Sequence, residues 1–195
     1  MDITLDPAMS AAEQDLLRAA LAGRQAGLEF GCGGSTALLL EAGLPRLLSA
    51  DSDAGWLRRV AADPRCAPAL AEGRLRLLHC HIGATGNWGW PKDAGCLPQW
   101  PGYWRDPWES AGLVDFVLVD GRFRVAAALN GMPRLAPGGV LAVHDFWTRA
   151  AYQAPLLRHF ALLGSAGSLA LLEPKRPADA ALLAADLTAH GFDPR

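Results

Sequence analysis

Short apolar runs recur along this chain from residue 27 onward, and three of them end on a glycine or an acid and are followed by a stretch of helical spacing. Leu28-Glu29-Phe30 runs into Gly31-Cys32-Gly33-Gly34-Ser35, and residues 36–42 carry a helical pattern that Gly43 and Pro45 stop. A second run, 46–50, ends at Asp51 and precedes a helix over 54–62, closed before Pro64. A third run covers 75–80. Residues 114–119 are an unbroken apolar run ending at Asp120, which marks a strand covered on both faces. A helix over 124–135 follows, and Pro137-Gly138-Gly139 turns the chain into a strand at 140–143. Strands that alternate with helices pair in parallel through right-handed crossovers, so the pattern dictates a doubly wound α/β sheet. Two strand-like runs, 158–163 and 168–173, flank Gly164-Ser165-Ala166-Gly167 and predict an antiparallel hairpin. The expected fold is therefore a mostly parallel, seven-stranded sheet with a C-terminal antiparallel hairpin.

The flanks are equally well signed. Ser10-Ala11-Ala12-Glu13 is a capping-box pattern, and Leu16, Leu17, Ala20 and Leu21 continue it at helical spacing up to Gly23. A helix over 178–189 opens a C-terminal helix-and-tail segment, 177–195. With 195 residues, 51 % of them hydrophobic, the whole chain suits one domain with a single large core. Residues 83–108 stand apart as a Trp/Gly/Pro-rich insertion over the acceptor side. They hold five of the seven tryptophans (Trp88, Trp90, Trp100, Trp104 and Trp108), five glycines and four prolines. No helical period is visible where a crossover helix is due, so an ordered, packed loop is expected. Some of its tryptophans should cover the sheet and the outer ones the pocket.

Several function classes are excluded early. The net charge of −2 gives no electrostatic reason to bind nucleic acid. Cys32, Cys66, Cys80 and Cys96 form no CxxC, which argues against a zinc site or disulfide framework and for a reducing cytoplasm. The acidic opening residues lack a leader pattern, and the apolar stretch 160–172 is too short to span a bilayer. A cytoplasmic protein without membrane or nucleic-acid partners is expected, its oligomeric state open, a homodimer included.

The chemistry-bearing signal is Glu29-Phe30-Gly31-Cys32-Gly33-Gly34-Ser35-Thr36, with Asp51 following 22 residues after Glu29. Glycines there allow a tight strand-to-helix turn and close ligand approach. The helix start offers amides to an anion, and an acid ending the next strand accepts from ribose hydroxyls. A dinucleotide site prefers a third glycine where this chain has Thr36. Glu29, just before the first glycine, suits a cationic amino group and repels a pyrophosphate. An amine, a carboxylate, a sulfonium and a ribose occur together in S-adenosylmethionine, which fits this charge pattern better than NAD.

On these residues the chain resembles the class I S-adenosylmethionine-dependent methyltransferases. Glu29-x-Gly31-x-Gly33-x-Ser35 is similar to the superfamily's first motif, with serine for the last glycine, and Asp51 to its ribose-binding acid. Val117-Leu118-Val119-Asp120-Gly121, Leu135-Ala136-Pro137-Gly138-Gly139-Val140 and Val143-His144-Asp145 resemble its fourth- and fifth-strand motifs. Asp120-Gly121-Arg122-Phe123-Arg124, with the first motif, looks more narrowly like a bacterial methyltransferase-like group. The resemblance implies a Rossmann-like methyltransferase fold and a cofactor site from Glu29, Gly31, Cys32, Gly33, Ser35, Asp51, Ser52, His81, Ile82 and Asp120. The acceptor is expected to be a small molecule or glycan. Asp120, His144 and Asp145, at two adjacent strand ends, are the candidates for general base. They also match loosely the positions that hold a divalent ion in metal-dependent O-methyltransferases, where the usual set has an acid or amide in place of His144 or Phe146. Arg122 and Arg124 stand either to receive an anionic substrate or to pair with neighbouring acids. Two alternatives stay open: a cofactor-binding protein without catalysis, and a NAD-dependent oxidoreductase. A nucleic-acid methyltransferase is disfavoured, because no Asn/Asp-Pro-Pro-aromatic signature is present.

Overall fold

The computed structural model describes residues 5–195; the leader reading of residues 1–4 lies outside the described residues. Seven strands form one sheet: β1 (Gly27–Phe30), β2 (Leu47–Asp51), β3 (Leu75–His79), β4 (Val114–Val119), β5 (Leu135–Val143), β6 (Phe160–Ala166) and β7 (Leu169–Pro174). Their order is β3-β2-β1-β4-β5-β7-β6. β1 to β5 pair in parallel, and β7 enters antiparallel between β5 and β6. The expected fold class holds, with the strand order reversing between β1 and β4.

Strand alternation sorts the core into two layers. Leu28, Phe30, Leu48, Ala50, Val117 and Val119 point to one face, under α5 (Trp100–Ala111), α6 (Arg124–Gly131), α7 (Ala150–His159) and α8 (Ala180–His190). Leu47, Phe116, Leu118 and Ala142 point to the other, under α1 (Ala11–Ala20), α2 (Gly34–Glu41), α3 (Ala54–Ala62) and α4 (Ala67–Ala71). Glu29, between Leu28 and Phe30, therefore faces the α2 layer. The capping box at Ser10 is formed, with the Ser10 amide donating to Glu13 Oε2 at 2.7 Å.

Three local expectations are corrected. Part of the tryptophan-rich segment is a crossover helix, α5, and not a loop throughout. Trp100, Tyr103, Pro107 and Trp108 recur at helical spacing on its buried side. Pro101, Gly102 and Pro107 hide that period in composition, because packing overrides propensity here. The helix α7 carries Pro155 inside it and is likewise unmarked by propensity. The hairpin turn is tighter than expected, only Gly167-Ser168, since Ala166 pairs with Leu169 and Gly167 has φ 53°. Residues 136–139 belong to β5 but bulge out of register, between the pairs Val114–Leu135 and Phe116–Val140. Among the described residues no helix is long and apolar enough to cross a membrane.

Candidate functional site

In an open α/β sheet, ligands bind outside the carboxyl ends of the strands where the strand order reverses. Here that point lies between β1 and β4, and a cleft of about 620 Å³ opens over it. Gly31, Cys32, Gly33, Ser35, Asp51 and Asp120 line it, as the sequence leads one to expect, and so do His144 and Asp145. Clefts of this scale take small-molecule ligands.

The first loop is built from within. Glu29 is fully buried, and its carboxylate accepts from the hydroxyls of Ser35, Thr36 and Ser49, each at 2.6 Å. Thr36 Oγ1 in turn accepts from the Gly33 amide at 3.0 Å. Burial raises the Glu29 carboxyl to about 7, outweighing the three hydroxyls that favour the anion. The assignment of Glu29 to a ligand's amino group is thus corrected: strand alternation turns it under the loop, where its carboxylate ties the bend together and does not line the cleft. The glycines divide similarly. A Cβ on Gly31, whose φ is +86°, would lie 2.5 Å from the Gly121 backbone. One on Gly34 would lie 2.3 Å from the Asp6–Pro7 backbone. Only Gly33 faces the cleft with nothing nearer than 3.6 Å, so close ligand approach explains that glycine alone.

Asp51 ends β2 beside this loop. Its Oδ2 accepts from the Cys32 amide at 3.2 Å and its Oδ1 from the Asp53 amide at 2.8 Å. The Cys32 thiol also donates to Oδ2, at 3.8 Å, and the carboxylate lines the cleft. Burial raises its carboxyl to about 6, although those amides oppose the shift. Trp56 lines the same wall, its Nε1 donating to the Cys32 carbonyl. The amides of Gly34 and Ser35, at the open start of α2, have no acceptor among the described residues.

Three other expected residues are not on the cleft wall. Ser52 Oγ is turned to the Gly89 carbonyl, at 3.3 Å. His81 is exposed beside Cys96, 4.0 Å from its sulfur. Ile82 is fully buried, and its carbonyl accepts from Trp100 Nε1 at 3.0 Å. The segment after β3 returns over the sheet edge instead of ending there, and it is Trp88 and Gly89 that reach the cleft. Trp100 and Trp108 pack in the core, whereas Trp88 lines the cleft.

The second wall is a charge cluster at the ends of β4 and β5. His144 Nδ1 lies 3.0 Å from Asp120 Oδ1, and its Nε2 stands 3.7 Å from Glu13 Oε1. Burial opposes the imidazolium, yet the Asp120 bond and the charges of Asp120 and Asp145 raise the His144 pKa above the usual histidine value. Glu13 is held down at about 2, since the donors from Ser10 and Ser168 outweigh its burial. Arg124 sits inside the group, 3.1 Å from Asp120, 3.2 Å from Asp145 and 2.6 Å from the His144 carbonyl. Asp145, at φ 59°, also pairs with Arg149 at 3.1 Å. Ligating atoms of Asp120, His144 and Asp145 do fall within 4.8 Å of one another. The guanidinium of Arg124, however, already stands where a divalent ion would need those carboxylates, so the group fits a metal poorly. Asp6, Met9, Glu13 and Asp53 were not legible as site residues; they reach the cleft or His144 only through tertiary packing.

No protein-family model matches the sequence, and no curated protein matches it by sequence. Solved structures do. A methyltransferase-like protein from Silicibacter pomeroyi superposes with a TM-score of 0.80 and 29 % identity, covering 97 % of this chain and 98 % of that one. The O-methyltransferase TomG from Streptomyces achromogenes, solved in complex with SAM, gives 0.56 at 20 % identity over 86 % and 82 %. The C-terminal domain of a precorrin-6Y C5,15-methyltransferase from Rhodobacter capsulatus gives 0.55 at 15 % over 87 % and 91 %; these last two share the fold. The chain thus has the Rossmann-like methyltransferase fold and is similar, over nearly its whole length, to the first of these proteins.

Proposed function

We propose that this protein binds S-adenosylmethionine in the cleft over β1 and β4 and transfers its methyl group to a small-molecule or glycan-type acceptor. One observation carries the reading: a strand-end acid, an open glycine and unpaired helix-start amides share a wall opposite a histidine–aspartate pair. Asp51 would accept from the ribose hydroxyls. Gly34 and Ser35 would give their amides to the carboxylate. Asp120 takes over the role expected of Glu29, because it faces the cleft as an acid and Glu29 does not.

When bound, S-adenosylmethionine supplies a methyl group already activated by its sulfonium. The chain's own work is then alignment, for which effective molarities of about 10⁵ to 10⁸ M are available. It also has to remove the acceptor's proton. The Nδ1–H of neutral His144 donates to Asp120, which leaves Nε2, 3.7 Å from Glu13 Oε1, as the base. Asp145 is committed to Arg124 and Arg149 and so is the weakest of the three candidates. No step runs through a metal, since Arg124 fills the acid cluster.

The test combines binding and turnover. S-adenosylhomocysteine is expected to bind and NADH not to; NADH binding alone would return the oxidoreductase reading. In assays with labelled S-adenosylmethionine and a panel of hydroxylated acceptors, His144→Gln is expected to lower turnover by about 10²- to 10⁴-fold. Undiminished turnover in that variant removes His144 as the base.

A further inference from the structure

Three arginines line the cleft, and their partners differ sharply. Arg124 is held by Asp120, Asp145 and two carbonyls, and Arg149 by Asp145. Arg122 has no carboxylate and no side-chain hydrogen bond among the described residues. Yet it is only 6 % exposed, and its Nε is sealed from solvent without a partner. Its guanidinium carbon lies 5.2 Å from the centre of the Trp90 ring, so one face is covered by the segment that follows β3. The sequence left open whether Arg122 and Arg124 meet an anionic substrate or neighbouring acids; the two residues divide the roles.

A buried cation without a counter-charge is costly, and chains that keep one generally use it. Burial, with Arg124 nearby, lowers the Arg122 pKa, the direction expected of an uncompensated cation. A guanidinium fixed against a ring presents paired donors that match a carboxylate or a phosphate. It follows Asp120 by two residues, on the loop leaving β4, which is the acceptor half of the cleft under the reading above.

We propose, resting on that reading, that Arg122 is the recognition site for an anionic group on the acceptor, so that this enzyme methylates carboxylate- or phosphate-bearing small molecules. Trp90 then fixes the plane of the guanidinium, and the Asp120–His144 pair lies on the same cleft for the acceptor's nucleophile.

Benzoate and phenyl phosphate serve as probes, with benzamide as the uncharged control. Each is titrated into the full chain, with and without S-adenosylhomocysteine, and followed by tryptophan emission and thermal shift. At least one anion is expected to saturate about tenfold below benzamide, and comparing the two shows whether carboxylate or phosphate is preferred. Arg122→Gln should erase that preference while the affinity for S-adenosylhomocysteine stays within about twofold. Arg122→Lys, which keeps the charge but not the fork, should retain part of it. Anions that bind wild type no better than benzamide overturn the proposal without touching the cofactor reading. So does an Arg122→Gln protein that folds but loses S-adenosylhomocysteine, because the guanidinium then serves the cofactor's own carboxylate. Wild type that binds an anion through Arg122 but no S-adenosylhomocysteine supports the anion site and sinks the cofactor reading.

Discussion

Glu29 shows how one side chain can organise a site it never enters. Its three hydroxyl partners come from β2 and from the first turn of α2, so the carboxyl ties strand to strand and strand to helix under the loop. Glu29→Ala orphans all three donors in a dry environment. It should lower the unfolding free energy in urea by about 3 kcal/mol, and a loss under about 1 kcal/mol would show that the hydroxyls find other acceptors. The pH dependence has a definite sign. The folded-state carboxyl is raised to about 7 from an ordinary 4.5, so its contribution is fully present below pH 4.5 and is lost as pH rises towards 7. Between those limits Glu29→Gln should therefore lose less stability with rising pH than wild type does. The residue was legible as important from its place before Gly31. Its role was not, because whether a strand residue points to the ligand or beneath it depends on the register of its neighbours. Leu28 and Phe30 fill one face and put Glu29 on the other.

At the scale of the element, the loop from β1 to α2 separates what folding demands from what binding demands. Gly31 abuts the Gly121 backbone at positive φ, so Gly31→Ala should cost about 2 kcal/mol or more of stability. Gly33→Ala adds a methyl group to the cleft wall with room for it, and should melt close to wild type yet bind S-adenosylhomocysteine about tenfold more weakly. Equal effects of the two on melting temperature would erase the distinction. The alternation of strands and helices was legible because parallel strands buried on both faces need long apolar runs, as in Val114–Val119. Helices rich in proline and glycine were not: α5 is held by Trp108, whose Nε1 donates to the Ala127 carbonyl at 2.9 Å and whose ring lies against Gly131. Those are contacts of tertiary packing, and no spacing rule registers them. The same limit hid Asp6 and Met9, which reach the cleft because the segment before α1 crosses the start of α2.

Over the whole molecule, two layers of helices pin a sheet whose order reverses between β1 and β4, and the cleft is the consequence of that reversal. Asp51 and Asp120 face it from β2 and β4, on either side of the first loop, because both stand where a strand ends. Asp51 is the more telling of the two, since its carboxylate holds the Cys32 and Asp53 amides in place while lining the cleft, where the proposed ribose would meet it. Titration calorimetry of S-adenosylhomocysteine against wild type and Asp51→Ala puts this geometry to its most direct trial. A single site is expected in wild type, weakened about tenfold or more by the substitution, with the melting temperature of the free protein little changed. An undiminished affinity in Asp51→Ala, or no binding to wild type, would contradict it.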